Sequence, residues 1–201
     1  MSTSGRTQAR GEARKEHILE VAFKIFAENG YRGASIADIA EGCGLSQPGL
    51  LHHFSTKADL LAGVLEHRDR LDAEKFHMDE PTPGIAALKR YVKLVEYNAH
   101  LPGLVKLFAI VTGEAAVNSA HPAHEWVVAR YHRRIGDLAA SLRLGVDDGS
   151  IRADVDTTAT ARRVFAMMDG LQLQWLLHPE QVDMPGLFRS FVDDLIAEIT
   201  P

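Results

Sequence analysis

The chain has 201 residues, 46% of them apolar and 24% charged, with a formal net charge of −5. That apolar share supports a substantial core and excludes a disordered chain, while the acidic balance excludes a basic nucleic-acid coat protein, so any DNA contact has to come from a local patch. A single cysteine, Cys43, excludes an intrachain disulfide framework and a cysteine-cluster metal site, and is expected to serve as a small buried hydrophobe.

Residues 1–11 are small and polar and are expected to form a flexible arm. The first seventeen residues are polar and basic, without the apolar core of a signal peptide, and no apolar run in the chain is long enough to span a bilayer. The expectation is a cytoplasmic protein with no membrane partner. Helical periodicity begins with Ile18, Ala22, Ile25 and Phe26, one apolar face of a first helix that Asn29-Gly30 should end. Ser35, with Asp38 three residues on, caps a short second helix whose inner face is Ile36, Ile39 and Ala40 and which Gly42 and Gly44 close. Ser46 caps a third helix through His53, with Pro48 in the first turn, where its missing N–H has no helical partner to lose. Thr56 and Asp59 open a fourth, with Leu60, Leu61, Val64, Leu65 and Leu71 on one face, expected to run out in Arg68-Asp69-Arg70.

Pro81-Thr82-Pro83-Gly84 is the clearest break. Beyond it the pattern predicts five helices, at 85–100, 102–117, 122–145, 156–178 and 185–199, with Gly145 and Gly149 in the loop before Asp156 caps the eighth. The fold class is all-α, with about nine helices. A three-helix head (residues 1–60, including the arm) precedes a helical-bundle body (residues 61–201), and the fourth helix joins them.

Two short helices around a glycine-containing turn, behind a supporting helix, make a helix-turn-helix, whose second helix puts its N-terminal side chains into the major groove. Gln47 is long enough to read a base edge, and Pro48 and Gly49 are small enough for close approach. Ser35, Ser46 and the free N–H groups at both helix starts can hold phosphate oxygens. Lys57 offers a point charge, and His52 and His53 add donors. Residues 1–57 hold seven basic side chains (Arg6, Arg10, Arg14, Lys15, Lys24, Arg32, Lys57) against six acidic ones (Glu12, Glu16, Glu20, Glu28, Asp38, Glu41). The positive charge must therefore gather on one face, with Arg6 and Arg10 reaching DNA from the arm.

The run from Ile18 to Leu61 resembles the DNA-binding head of TetR-family repressors. The likeness is carried by Ala22, Phe26, Gly30, Ile36, Ile39-Ala40, Gly44, Leu45-Ser46, Leu50, His53-Phe54 and Lys57-Ala58-Asp59-Leu60-Leu61. It implies that Gln47, Pro48, Gly49 and His52 face the groove and that His53 and Lys57 meet the backbone. Leu51 departs from the pattern, standing where the family commonly has a phosphate-holding tyrosine. Either His52 replaces that contact or Leu51 meets a thymine methyl.

The eighth helix carries two apolar stripes: Val164, Met168, Leu171 and Trp175 on one side, Ala166, Gly170, Leu173 and Leu177 on the other. Such a helix is either central in its own domain or shared with a partner. The ninth helix adds Phe188, Phe191, Val192, Leu195 and Ile199. The resemblance implies a homodimer through the last two helices, with Ala166, Gly170, Leu173, Leu177, Phe188, Phe191 and Leu195 at the interface. Its two heads would read a palindromic operator in double-stranded DNA. It also implies an effector of unknown identity, largely apolar, for which Tyr91, Val95, Phe108, Val111, Trp126, Tyr131, Met168 and Trp175 are the candidate lining. No cofactor is expected. His100, His121, His124 and His132 raise a metal site, but Pro122 separates the central pair and no carboxylate partner is assured, so none is assigned. The chain has no glycine-rich phosphate loop, nucleophile elbow or H-E-x-x-H pair, and the function expected is a ligand-responsive transcriptional repressor rather than an enzyme. The alternatives are a small-molecule enzyme or a protein-binding adaptor without DNA affinity.

Overall fold

The structure, a computed structural model, describes residues 3–80 and 82–201, with side chains from Arg10 onward. Among the described residues it contains nine helices and no strand: α1 (Thr3–Gly33), α2 (Ile36–Gly42), α3 (Gln47–His53), α4 (Lys57–Phe76), α5 (Ile85–Asn98), α6 (Pro102–Val117), α7 (His124–Asp147), α8 (Thr157–Leu177) and α9 (Met184–Ile199). Pro81, in the expected break, and the Arg6 side chain, half of the expected arm contact, lie outside the described residues.

Several starts follow local chemistry. The Ser35 Oγ accepts the Asp38 N–H at 3.1 Å, the Ser46 Oγ accepts the Gly49 N–H at 3.2 Å, and the Thr56 Oγ1 accepts the Asp59 N–H at 3.0 Å. Asp156 accepts two N–H groups at the start of α8, from Thr158 and Ala159. Each satisfies a donor that the first helical turn leaves without a partner. Between α2 and α3 the chain reverses at Gly44 (φ 62°), where the Leu45 N–H returns to the Ala40 carbonyl at 2.8 Å. This left-handed closure is one glycine adopts without strain.

Two expectations are corrected, on the fourth helix and on Gly145. The backbone is helical from Thr3, over the residues expected to form a flexible arm, because Arg10, Glu12, Ala13, Arg14, Lys15 and Glu16 are strong helix formers that outweigh Gly11. Gly30, at φ 68° and ψ 177°, then breaks the helical path where Asn29-Gly30 marked the end, and the chain makes one further turn to Gly33. The fourth helix continues through Arg68-Asp69-Arg70 to Phe76, since charges on a helix face do not stop it, and ends where His77 takes a positive φ of 52°. Gly145 is not in a loop. It lies inside α7, and a Cβ there would fall 2.7 Å from the Gly84 Cα and 2.8 Å from Ile151.

The chain gathers into two compact units, one holding residues up to Arg70 together with Lys106–His124, the other Leu71–Val105 together with Glu125–Pro201. In the first, α1 packs on α2 and α2 on α3, over a core of Ile18, Ala22, Phe26, Ile39, Leu50, Leu60, Leu61, Val64 and Leu65, all at most 1% exposed. In the second, α9 packs against both α5 and α8, and Leu88, Val95, Leu142, Val164, Phe165, Met184, Phe188, Val192 and Leu195 form the interior. No single helix among the described residues is long and apolar enough to cross a membrane.

Candidate nucleic-acid interface and body surfaces

The third helix is anchored on one side and exposed on the other. Of its seven residues only Leu50 is buried, which anchors it to the core of the first unit. Gln47, Pro48, Leu51 and His52 are exposed, while Gly49 and His53 are half-buried. Leu51 is 38% exposed, so the apolar side chain that departs from the family pattern is available to a partner and does not serve the core. The His52 and His53 rings meet edge to face at 5.8 Å.

Ser35 and Ser46 use a hydroxyl lone pair for capping, which leaves each O–H free to donate outward. Lys57, in the first turn of α4, donates to the Arg32 carbonyl at 3.4 Å and lies 4.6 Å from the centroid of the Tyr31 ring. Burial holds the basicity of His53 below the usual histidine value, helped by the positive fields of His52, Lys15 and Arg14. Arg14 and Lys15 thus stand near α3, a proximity that charge counting along the sequence did not reveal. Tyr31, beside Gly30, is not among the expected site residues, since nothing in the local sequence marks it.

In the second unit the two stripes of α8 separate cleanly. Val164, Met168 and Leu171 are buried, and Trp175 is packed at the edge of the same core. The opposite stripe faces outward: Ala166 is exposed, Leu173 is 53% and Leu177 74% exposed, and a Cβ on Gly170 would meet nothing within 4 Å. On α9, Phe191 is half-buried. Phe188 and Leu195, expected at a partner surface, are instead 0% and 1% exposed in the chain's own core. Met184, Phe188, Val192, Leu195 and Ile199 share the inward helical face.

The expected effector lining divides. Phe108 and Val111 belong to the first unit and the other six to the second. Within the second unit Tyr91, Val95 and Met168 are core residues, while Trp126, Tyr131 and Trp175 are half-buried. Tyr91 and Tyr131 both pack against Phe165, at 5.4 and 6.1 Å between ring centroids. The Tyr131 hydroxyl donates to the Asp169 carboxylate at 2.6 Å. Burial raises the Asp169 pKa, against the opposing effects of the Tyr131 bond and the Arg130 charge. A cleft enclosing about 260 Å³, part of it open solvent, is lined by Tyr91 together with Arg90, Asp137 and Ser141 and reaches none of the other predicted residues.

The histidines do not converge. His121 Nδ1 accepts the Ala123 N–H and His124 Nδ1 bonds the Ala115 carbonyl, while His100 and His132 are exposed. Among the described residues no group of three or more His, Cys, Asp or Glu could hold a metal ion.

Comparison with known proteins agrees across both units. Residues 18–64 match the family described as "Bacterial regulatory proteins, tetR family", and residues 107–201 match "BetI-type transcriptional repressor, C-terminal". The HTH-type transcriptional regulator TtgR of Pseudomonas putida is 25% identical over 198 residues, covering 94% of this chain and 92% of that protein. Among solved structures, a transcriptional regulator from Saccharomonospora viridis in complex with choline is 27% identical, with a TM-score of 0.77 over 94% of this chain and 98% of its own. The regulator FadR from Bacillus subtilis, in complex with stearoyl-CoA, shares the fold at 19% identity, with a TM-score of 0.78 over 92% of this chain and 98% of its own.

Proposed function

Because the chain belongs to the TetR family of transcriptional regulators, we propose that it is a homodimeric repressor that grips a palindromic operator through α3 and releases it when a small-molecule effector binds the body. The observation that carries this reading is the third helix, anchored by the buried Leu50 and turning Gln47, Pro48, Leu51 and His52 outward. Gln47 reads a base edge, Pro48 and Gly49 allow close approach, and Leu51 meets a thymine methyl. Ser35, Ser46, His52, His53 and Lys57 hold the sugar-phosphate backbone and set register. Residues 1–60 form the DNA-binding domain and 61–201 the domain for effector and partner, and the protein works in the cytoplasm, where its operator is.

Dimerisation uses the outward stripe of α8, Ala166, Gly170, Leu173 and Leu177, with Phe191 at its margin. The small residues let two helices approach closely, and the exposed leucines supply apolar area that has no cover among the described residues. Two heads related by a dyad then meet half-sites spaced by about one helical turn or a multiple of it. Choline and stearoyl-CoA, the ligands of the two solved neighbours, differ in size and charge. The effector is therefore assigned only as a small, largely apolar molecule bound near Tyr91, Tyr131, Met168 and Trp175. It acts only by binding the DNA-incompetent state more tightly.

Selection of bound fragments from the source genome, followed by gel retardation, tests the reading. The expected result is an inverted repeat. Gln47→Ala should lose about 1–3 kcal/mol of discrimination at particular base pairs, and equal losses on every sequence would remove base readout by this residue. Gly170→Glu should give monomers by light scattering, with operator affinity falling by about 10²–10⁴-fold as two-headed binding is lost. A stable dimer would move the interface elsewhere.

A further inference from the structure

We infer that Tyr31 and His121 are positioning residues for Lys57, tying the grip on the phosphate backbone to the segment 106–124. This rests on the reading of Lys57 as a backbone contact, and the test below separates the two. The groups involved all belong to the first compact unit.

Lys57 is not a free point charge. Its ammonium faces the Tyr31 ring at 4.6 Å from the centroid, within the range where the electron-rich face of an aromatic ring attracts a cation. It also donates to the Arg32 carbonyl at 3.4 Å. An ammonium has three donors, so a hydrogen remains for a phosphate oxygen. A lysine already confined in this way loses less rotamer freedom when it meets that oxygen.

The ring is itself fixed. Tyr31 follows Gly30, whose positive φ turns the chain, and its ring stacks on Phe26 at 6.2 Å. Its other neighbour is His121, edge to face at 5.3 Å and 74°. The His121 side chain is only 4% exposed, and its Nδ1 accepts the Ala123 N–H at 3.2 Å, which assigns the proton to Nε2. Nε2 lies 3.2 Å from the Glu114 Oε2, close enough for attraction although the alignment falls short of a hydrogen bond. The same segment touches α1 twice more: Lys106 donates to the Glu28 carbonyl at 3.4 Å, and Ile110 lies beside Gly30. The end of α1 is thus held at Glu28, Gly30 and Tyr31 by residues of α6 and of the α6–α7 connection, and Lys57 rests on the last of these.

The experiment is a double-mutant cycle on the full chain, reading affinity for operator and for unrelated DNA against salt concentration, with thermal melts to confirm folding. Lys57→Ala should flatten the slope of log affinity against log salt by about 0.9, the loss of one phosphate contact. Tyr31→Leu should weaken binding about two- to tenfold, the cost of ordering one rotamer-rich side chain, with the slope kept because the charge remains. Tyr31→Phe should restore wild-type affinity. His121→Leu should act in the direction of Tyr31→Leu. In the Lys57→Ala background neither Tyr31→Leu nor His121→Leu should cost anything more. An unchanged slope in Lys57→Ala removes the backbone contact itself. A normal Lys57→Ala result, with Tyr31→Leu costing as much with lysine absent as present, overturns the positioning role alone. If Tyr31→Leu fails to fold, the native protein still decides: the Lys57 ε-methylene protons should resonate upfield under the ring current, and an ordinary lysine position would refute the contact.

Discussion

In the unit that holds α1 to α3, the capping side chains bind groups three residues away: Ser35 with Asp38, Ser46 with Gly49, Thr56 with Asp59. In the unit that holds α5, α8 and α9, polar side chains pair over 35 to 93 positions: Arg163 with Glu198, Tyr131 with Asp169, Arg134 with Asp79 and Arg189 with Glu96. The first kind of bond is written into a short stretch of sequence and shapes one helix end. The second exists only once helices have packed, so it reports on tertiary structure. The lesson is that helix ends are set by local signals in either unit, as at Ser35, Ser46 and Asp156, whereas the pairing of whole segments, Lys106 with Glu28 in the first unit and Arg189 with Glu96 in the second, exists only in the packed chain.

A one-methyl probe gives the largest test of that contrast. Gly145→Ala should destabilise the protein by about 3 kcal/mol, the upper end for overpacking, because the closest atom is the Gly84 backbone, which cannot rotate away. The Gly84 N–H bond to the Ser141 carbonyl, 2.8 Å long, would be strained with it. Gly44→Ala in the first unit has open space for its Cβ and meets only the conformational cost of a positive φ, about 1–2 kcal/mol. Denaturant midpoints compare the two, and a larger loss at Gly44 would reverse the assignment.

Tyr131→Phe comes next, at about 2 kcal/mol near neutral pH, since it deprives a carboxylate in the body of its hydroxyl donor. The sign with pH can be worked out. Burial raises the folded pKa of Asp169, and removing the Tyr131 bond raises it further. A carboxyl group whose folded pKa exceeds its unfolded value favours folding at low pH and loses that advantage as pH rises. The deficit of the variant should therefore be full at neutral pH and shrink on acidification. A deficit that grows in acid would rule out an ionised Asp169 as the acceptor.

Ser46→Ala should cost about 1 kcal/mol, the ordinary price of a lost cap. These magnitudes also explain what was legible beforehand. Helices 5 to 9 were placed within a few residues because apolar spacing and caps such as Asp156 are local, and periodicity separated the two stripes of α8 without saying which one turns outward. On α9 the resemblance placed Phe188 and Leu195 at the interface, and apolar spacing carries no mark that separates a core face from a partner face. Only packing against α5 and α8 decides that they turn inward. The effector lining was less legible than the helices for a related reason: an aromatic residue on a helix carries no mark of whether it fills a core or borders a cavity. Tyr31 and His121, 90 positions apart in sequence, meet only through the path of the chain.

The smallest effect returns to α3 and separates fold from the proposed DNA contact by sign. His53 is half-buried on α3, and its pKa is depressed by burial first, then by His52, Lys15 and Arg14. A histidine depressed in the folded state contributes stability above the ordinary value of about 6.5, which is lost as pH falls through the folded value. Acid should thus weaken the free fold slightly. A phosphate beside the ring does the reverse: it favours the imidazolium, so the complex binds more protons than its free parts, and affinity should rise as pH drops through the same window. The gain should stay below about tenfold, the worth of one full pKa unit, because the site is open to solvent. Gel retardation between pH 7.5 and pH 5.5 measures it, with His52→Gln as the control for the neighbouring ring. His53→Gln should flatten the profile while leaving Gln47-dependent discrimination intact. If the slope survives that substitution unchanged, the proton is taken up elsewhere and His53 does not meet the backbone.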